Sequence, residues 1–399
     1  MKGYKHTELG WIPEEWRIKT IGEVSLLING RAFKQEELLD RGKYLVLRVG
    51  NLNTTSKWYY SNLELEDVKY VFKGDLMYAW SASFGPRFWT GEKTIFHYHI
   101  WKVVPNDNVE KGFLFYLLDF DKENIINSKQ GGTMFHITKG DMESRYVALP
   151  PKSEQKYISL VLKTWDHAIS TLTQLISAKQ QLKKGLMQQL LTGKKRLPGF
   201  EGEWEKKNLG ELFIRIIGGG TPAKDRKEFW GGDIPWATVK DISNFNPNAT
   251  QEYISELGLK NSSTNKVPAN TLIISTRMAV GKCVMFDMDV AINQDLKALF
   301  PDNNYSKLFL YYYFEHSIDK INLLGNGSTV KGLVLNDLKG IQIFLPTEYE
   351  EQEAIGNFLQ LLDYEVKFLF ECLSKIKTQK SALMQQLLTG KKRVKVDPD

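Results

Sequence analysis

The sequence predicts an α+β chain built as an internal duplication: two globular mixed α/β domains separated by a pair of long antiparallel helices and related by a pseudo-twofold axis. Three observations predict it. First, Leu-Met-Gln-Gln-Leu-Leu-Thr-Gly-Lys-Lys-Arg stands at Leu186–Arg196 and returns letter for letter at Leu383–Arg393, about half of the 399 residues further on. Solenoid repeats recur every 20–50 residues or so, so this period marks a duplicated domain pair. Second, the match extends outward at nearly constant offset. Trp16, Ile21-Gly22-Glu23 pairs with Trp204, Leu209-Gly210-Glu211; Gly74-Asp75-Leu76 pairs with Asn270-Thr271-Leu272; Pro105, Thr133, Asp141, Leu149 and Gln155 pair with Pro301, Thr329, Asp337, Leu345 and Gln352. The offset shifts between residues 23 and 74, so the copies differ most in their early interiors. Third, each half has two textures, one strand-like and one helical.

The strand-like texture covers about 12–150 and 200–346. Short apolar runs such as Tyr44–Val49, Ile95–Val104, Thr271–Ser275 and Ile341–Leu345 alternate with turn formers, and short helices are expected at Gly112–Leu118 and Lys307–Phe314. The helical texture covers Ser153–Thr192 and Glu348–Thr389. Apolar residues fall at Ile158, Leu162, Trp165, Ile169, Leu172 and Ile176, and at Ile355, Leu359, Leu362, Val366, Leu369 and Leu373, with the four-three spacing of a coiled-coil seam. Thr347 and Glu350 have the spacing of a capping box. Gly193 and Gly390 suit the left-handed position beyond a helix end. Each rod is roughly 60 Å long at 1.5 Å per residue. An exposed seam on a lone rod is unstable, so the two rods should pack on each other. The first rod runs from one domain to the next, so under a pseudo-twofold the second runs back. The expected organisation is a first domain at 1–150, a first long helix at 151–196, a second domain at 197–346, a second long helix at 347–392 and a tail at 393–399.

Composition bounds the class. The chain has 42% hydrophobic and 12% aromatic residues and a net charge of +6, which fits a globular protein and permits a polyanionic partner without demanding one. Two cysteines, Cys283 and Cys372, give no disulfide framework. Met1–Trp16 lacks the apolar core of a signal peptide and no run approaches a membrane span, so a cytoplasmic location is expected.

Catalytic constellations are not evident. There is no phosphate-binding G-x4-G-K-[ST] loop, no zinc spacing, no H-E-x-x-H and no G-x-S-x-G. His97 and His99 read as one polar strand face, with a metal pair as the sharper alternative. Asn246-Pro247-Asn248 reads as a turn, and Gly218-Gly219-Gly220-Thr221-Pro222 as a turn or, less plainly, a phosphate cradle. No catalytic residue, metal ligand or resident cofactor is expected, and a binding protein is the better reading.

Several segments, taken together and in order, carry a resemblance. Gly10-Trp11-Ile12-Pro13-Glu14-Glu15-Trp16 resembles the opening of specificity subunits of type I restriction–modification systems. Thr221-Pro222, Phe229-Trp230-Gly231-Gly232-Asp233-Ile234-Pro235-Trp236 and Thr238-Val239-Lys240-Asp241-Ile242 resemble the start of one class of target-recognition domain in that family. Leu149-Pro150-Pro151 with Gln155, and Leu345-Pro346 with Gln352, resemble the starts of its spacer helices; Leu190–Lys195 and Leu387–Lys392 resemble their ends. The first domain departs from that class, with Phe33-Lys34 and Val46-Leu47-Arg48-Val49-Gly50-Asn51 instead, which implies a different target sequence. The resemblance implies a non-catalytic subunit that binds a bipartite DNA site, one half-site per domain, with the spacer setting the gap. It also implies two modification subunits, which carry S-adenosylmethionine and methylate adenine, and restriction subunits that use ATP and magnesium to translocate and cleave.

Base reading needs forked donors and acceptors in loops. The candidates in the first domain are Arg31, Lys34, Arg48, Asn51, Asn53, Lys57, Ser81, Ser83 and Arg87, interleaved with Trp58, Tyr59 and Tyr60. In the second they are Lys224, Arg226, Lys240, Thr276, Arg277, Lys282 and Gln294, with Arg277 the foremost because it follows an apolar strand in a Ser-Thr-Arg-Met loop. Thr133 and Thr329, in matching Gly-rich segments, offer phosphate contacts or simply the same turn. Lys179, Lys183, Lys184, Lys194, Lys195 and Arg196 near the first helix end either complement its dipole or form a basic stripe over DNA. The rival functions are a stand-alone DNA-binding or regulatory protein on the same scaffold, and a cryptic endonuclease.

Overall fold

A computed structural model describes residues 3–53, 55–81, 84–128, 136–324 and 332–394. The chain divides into two compact units, Met1–Thr173 with Cys372–Asp399, and Gln174–Glu371.

Unit one holds two four-stranded sheets. One is antiparallel, in the order Ser25–Asn29, Ile100–Pro105, Leu76–Ala79, Gly85–Phe88. The other has the order Tyr59–Ser61, Tyr44–Leu47, Thr94–Phe96, Tyr70–Val71, with its two middle strands parallel. A two-stranded ribbon, Arg17–Thr20 with Tyr146–Leu149, joins the two ends of the domain. Unit two repeats this plan. Its antiparallel sheet runs Phe213–Gly218, Leu296–Pro301, Leu272–Ser275, Cys283–Val284. Its mixed sheet runs Glu252–Ile254, Trp230–Ala237, Val290–Ile292, Asn265–Val267, again with a parallel middle pair. The ribbon is Trp204–Asn208 with Gln342–Pro346. The expected short helices are longer than their apolar runs indicated, spanning Lys111–Ser128 and Lys307–Leu324.

The two long helices span Lys152–Leu190 and Tyr349–Leu388. Each unit contains part of both. Within unit one, Asp166 pairs with Lys380 and Glu154 with Arg393; within unit two, Lys179 pairs with Glu365, Lys183 with Asp363 and Arg196 with Glu351. Within each unit, as one number rises its partner's falls, so the two helix segments of that unit pack antiparallel. Ile158, Leu162, Ile176, Ile355, Leu359 and Leu373 are buried, and Trp165, Ile169, Leu172, Leu362, Val366 and Leu369 are half-buried.

The repeated undecapeptide has a packing cause. Met384, Leu387 and Leu388 seal the core of unit one, against Ile158 and Leu162. Met187, Leu190 and Leu191 seal the core of unit two, against Ile355 and Leu359. Identical sequences fill identical holes. Polar clasps repeat as well. The Gln155 and Gln352 amides donate to the carbonyls of Pro150 (2.8 Å) and Pro346 (2.9 Å), while their oxygens accept from the N–H groups of Glu110 (2.8 Å) and Ser306 (2.9 Å). Tyr116 donates to Asp166 and Tyr312 to Asp363, both at 2.7 Å, and each carboxylate also takes a lysine, Lys380 or Lys183, at 2.6 Å. Burial raises both phenols well above the ordinary tyrosine range, aided by the accepting carboxylates.

Gly193 and Gly390 end the helices in the left-handed conformation, at φ 69° and 71°. Lys195 and Lys392 then fold back to donate to the carbonyls of Gln189 and Gln386. The expected capping box at Thr347 does not form. The Thr347 hydroxyl donates to the Glu203 carbonyl instead (3.0 Å), tying the helix start to the ribbon, and the helix begins at Tyr349. Of the cations near the first helix end, Lys179, Lys183 and Arg196 are committed to carboxylates. A basic stripe would rest on Lys184, Lys194 and Lys195, which are exposed.

Candidate nucleic-acid interface

The same four backbone junctions occur in both units and define one rim, where the two sheets adjoin. In unit one the amide of Arg31 donates to Phe96 O, His97 to Leu47 O, Trp80 to His99 O and Ile137 to Trp80 O. In unit two Gly220 donates to Ile292 O, Asn293 to Ala237 O, Thr276 to Asp295 O and Leu333 to Thr276 O. The approach is so close that only glycine fits just before it. A Cβ on Gly30 would lie 2.3 Å from Phe96 O, and one on Gly219 1.8 Å from Ile292 O. The triple glycine of unit two is therefore a packing requirement. Asn246 and Asn248 form a turn, with the Asn248 amide donating to Asn246 Oδ1 at 3.0 Å.

These junctions put the residues in register. Arg48, Trp80, Ser81, His97, Tyr98 and His99 of unit one occupy the positions of Thr238, Thr276, Arg277, Asn293, Gln294 and Asp295 of unit two. His97, Tyr98 and His99 form a tight turn between two strands, correcting the expectation of a shared strand face. The Tyr98 and His99 rings lie 3.9 Å apart, Trp80 meets His99 edge-on at 4.9 Å, and Phe33 stacks on His97 at 6.4 Å. Burial, then His99 and Arg48, push His97 down to about 4, so its ring is neutral at physiological pH.

Arg31 pairs with Glu37 and lies over the Phe33 ring. Arg48 and Lys57 are exposed, each 5.2 Å from the centre of the Tyr59 ring, a cationic and aromatic surface of the kind that suits phosphate and base. Lys34 is exposed and its own amide donates to Glu37. Ser81 bridges to His136 at the rim. Arg87 lies on the outer strand Gly85–Phe88. Two candidates are corrected. Asn51 uses both ends of its amide to brace its own loop, accepting from Arg48 N–H (3.1 Å) and donating to Lys57 O (2.8 Å). Thr276 is buried and donates through both amide and hydroxyl to Asp295 O. Asn53 ends the helix Val49–Asn53, its side chain lying outside the description, and Ser83, Thr133 and Thr329 lie outside the described residues.

In unit two Lys224 and Arg226 are exposed on the loop before Trp230, with Arg226 3.5 Å from Glu228. Lys240 is exposed in the short helix Val239–Ser243. Lys282 reaches Ser243 O at 3.4 Å. The exposed Gln294 accepts from the Thr221 hydroxyl at 2.6 Å, and Arg277, 62% exposed, lies 3.6 Å from Asp295. Sequence reasoning missed Trp80, Tyr98, His99, Met278 and Asp295 as rim residues. Carrying the 98/294 pairing through the repeat would have flagged Tyr98 opposite the candidate Gln294.

The family model of the type I restriction modification DNA specificity domain matches residues 13–183 and again 201–378. The chain belongs to this family. It is similar to the putative type I restriction enzyme MjaX specificity subunit of Methanocaldococcus jannaschii, 28% identical, covering 99% of this chain and 97% of that one. A shorter stretch, 39% of the chain and 40% of the relative, is 32% identical to the EcoR124I/EcoR124II specificity subunit of Escherichia coli. Its fold matches the crystal structure of the type I S subunit of M. genitalium with a TM-score of 0.60 at 18% identity, over 94% of this chain and 96% of that one. A chain from a structure of type I restriction–modification complex assembly and conformational transition matches with a TM-score of 0.61 at 20% identity, over 95% and 99%. As a specificity subunit, the chain supplies sequence-specific DNA recognition to a type I system. Among the described residues no helix is long and apolar enough to cross a membrane.

Proposed function

We propose that each unit reads one half of a bipartite DNA target through its rim, and that the paired long helices set the gap between the halves. The observation that carries this reading is the doubled rim: one backbone frame with unlike side chains, as expected of two readers with two different half-sites. Phosphate contacts from Arg48, Lys57, Lys224, Arg226, Lys240 and Lys282 would position the duplex, and rim side chains would read base edges. The chain has no catalytic step of its own. It directs two adenine-methylating modification subunits, which bring S-adenosylmethionine, and restriction subunits, which bring ATP and magnesium and cleave DNA in the cytoplasm.

The test is methylome sequencing of cells carrying the complete system with and without this chain. A two-part methylated motif that disappears with the chain is expected; methylation without a two-part motif would overturn the reading. Inserting one helical turn of about four residues at Thr173 adds about 5.4 Å to the spacer. The gap is then expected to widen by one to two base pairs, at about 3.4 Å each, with both half-sites unchanged. An unchanged gap would remove the helices from the role of ruler.

A further inference from the structure

The loop joining Leu272–Ser275 to Cys283–Val284 in unit two holds an unusual corner. Met278 has a left-handed backbone, φ 59°, a conformation that is strained for a residue bearing a side chain. Its apolar side chain is also 76% exposed. Two unfavourable features at one residue need a stiff surround, and the loop supplies it. Ser275 Oγ donates to Arg277 O at 2.7 Å, Gly281 N–H to Ser275 O at 2.9 Å, and Lys282 N–H to Ala279 O at 3.0 Å. Strain held in place beside an exposed apolar group points to function at the corner.

Arg277 is the neighbouring residue. Its guanidinium lies 3.6 Å from Asp295 Oδ1, too long for a hydrogen bond but close enough for electrostatic steering. That oxygen is closed off from solvent and has no hydrogen-bond partner among the described residues. Asp295 is itself fixed, since its amide donates to Asn293 Oδ1 and its carbonyl accepts twice from Thr276. The carboxylate therefore aims the arginine, whose guanidinium makes no hydrogen bond among the described residues. Met278 and Lys240 line one open cleft with Asn244 and Gln251, which puts an apolar contact and a cation side by side. At the matching positions unit one has Ser81 for Arg277 and His99 for Asp295, so it lacks this device.

We infer that the Arg277–Met278 corner is the base-reading element of unit two: Arg277, aimed by Asp295, takes the paired acceptors on the major-groove edge of a guanine, and Met278 lies against the adjoining base pair. Guanine is the base that presents two acceptors to one guanidinium fork. A phosphate contact would leave the strained, exposed methionine without a use. Asp295 acts as a positioning residue. The inference rests on unit two reading a half-site.

The test is methylome sequencing with the complete complex carrying full-length Arg277→Gln, Asp295→Asn or Met278→Gly, each shown to be folded by its melting temperature. Glycine accepts the corner's backbone, so the third variant removes only the side chain. Arg277→Gln is expected to relax discrimination at one guanine of one half-site roughly ten- to a hundredfold. Asp295→Asn should relax the same position less, and Met278→Gly the adjoining one. The other half-site and the gap should stay as they are. Unchanged discrimination in Arg277→Gln, or a uniform loss across all sequences, would overturn base reading by Arg277. An unchanged motif in Met278→Gly would remove the methionine from it. Failure of the half-site reading looks different: the wild-type complex itself would show no two-part motif.

Discussion

Units one and two share a frame and differ at the rim. Hydrogen bonds between backbone groups hold the four junctions in both units, so the frame is kept while the side chains on it differ. Unit one presents a compact aromatic and imidazole cluster of Trp80, Tyr98 and His99. Unit two presents an amide, a carboxylate and a guanidinium, in Gln294, Asp295 and Arg277. A duplicated scaffold can therefore change what it reads without changing how it folds. The clasps that fasten each domain to the helix ends do the reverse. They keep their chemistry almost unaltered, because each ties polar groups of a domain to a helix through matched donors and acceptors.

The largest effect that would sharpen this comparison lies in those clasps. Glu351 is fully buried and its carboxylate is paired with Arg196, whereas the equally buried Glu154 is shared between Arg393 and the Trp16 indole N–H at 3.0 Å. In unit two the matching Trp204 indole N–H has no hydrogen-bond partner among the described residues. Removing the arginine leaves a buried carboxylate without its charge partner, which is destabilising. Arg196→Ala is therefore expected to lower the melting temperature of unit two, and Arg393→Ala that of unit one by less, because Trp16 still donates to Glu154. Calorimetric melting of both variants checks this. Equal losses would mean that the clasps are equivalent despite the missing indole bond.

A smaller effect separates the rims by pH. His97 stays neutral in the folded chain down to about pH 4, held there first by burial and then by His99 and Arg48, while in the unfolded chain it protonates near 6.5. The unfolded state then binds more protons, so the contribution of His97 to stability is complete above pH 6.5 and is lost as pH falls towards 4. Asn293 stands at this position in unit two and does not titrate. His97→Asn is expected to flatten the fall in stability across that window, measured by denaturant unfolding. A slope identical to that of the parent would place the pH dependence elsewhere.

The frame was legible in the sequence because it is duplicated. Leu190 and Leu387 announce matching packing, and the seam from Ile158 to Leu373 follows helical geometry, which a single chain displays without help from tertiary structure. The rim was only partly legible. Arg277 stood out after an apolar strand, but Asp295, which aims it, is distant in sequence, and the two meet only once Leu272–Ser275 pairs with Leu296–Pro301. His97 to His99 look like strand by composition and are a turn because the chain must pass between sheets. Asn51 and Thr276 look like readers by residue type, yet their polar atoms are consumed by neighbouring backbone. Thr347 has the spacing of a helix cap, and its hydroxyl goes instead to the Glu203 carbonyl, just before a strand far back in the chain.

The central claim is that two unlike rims read two half-sites independently. The most direct measurement is methylome sequencing of the complete system with Tyr98→Gln and His99→Asp together, which gives unit one the residues that unit two carries at those positions. The account predicts a motif altered in one half only, with the other half and the gap unchanged. A motif altered in both halves, or altered in neither, would contradict it.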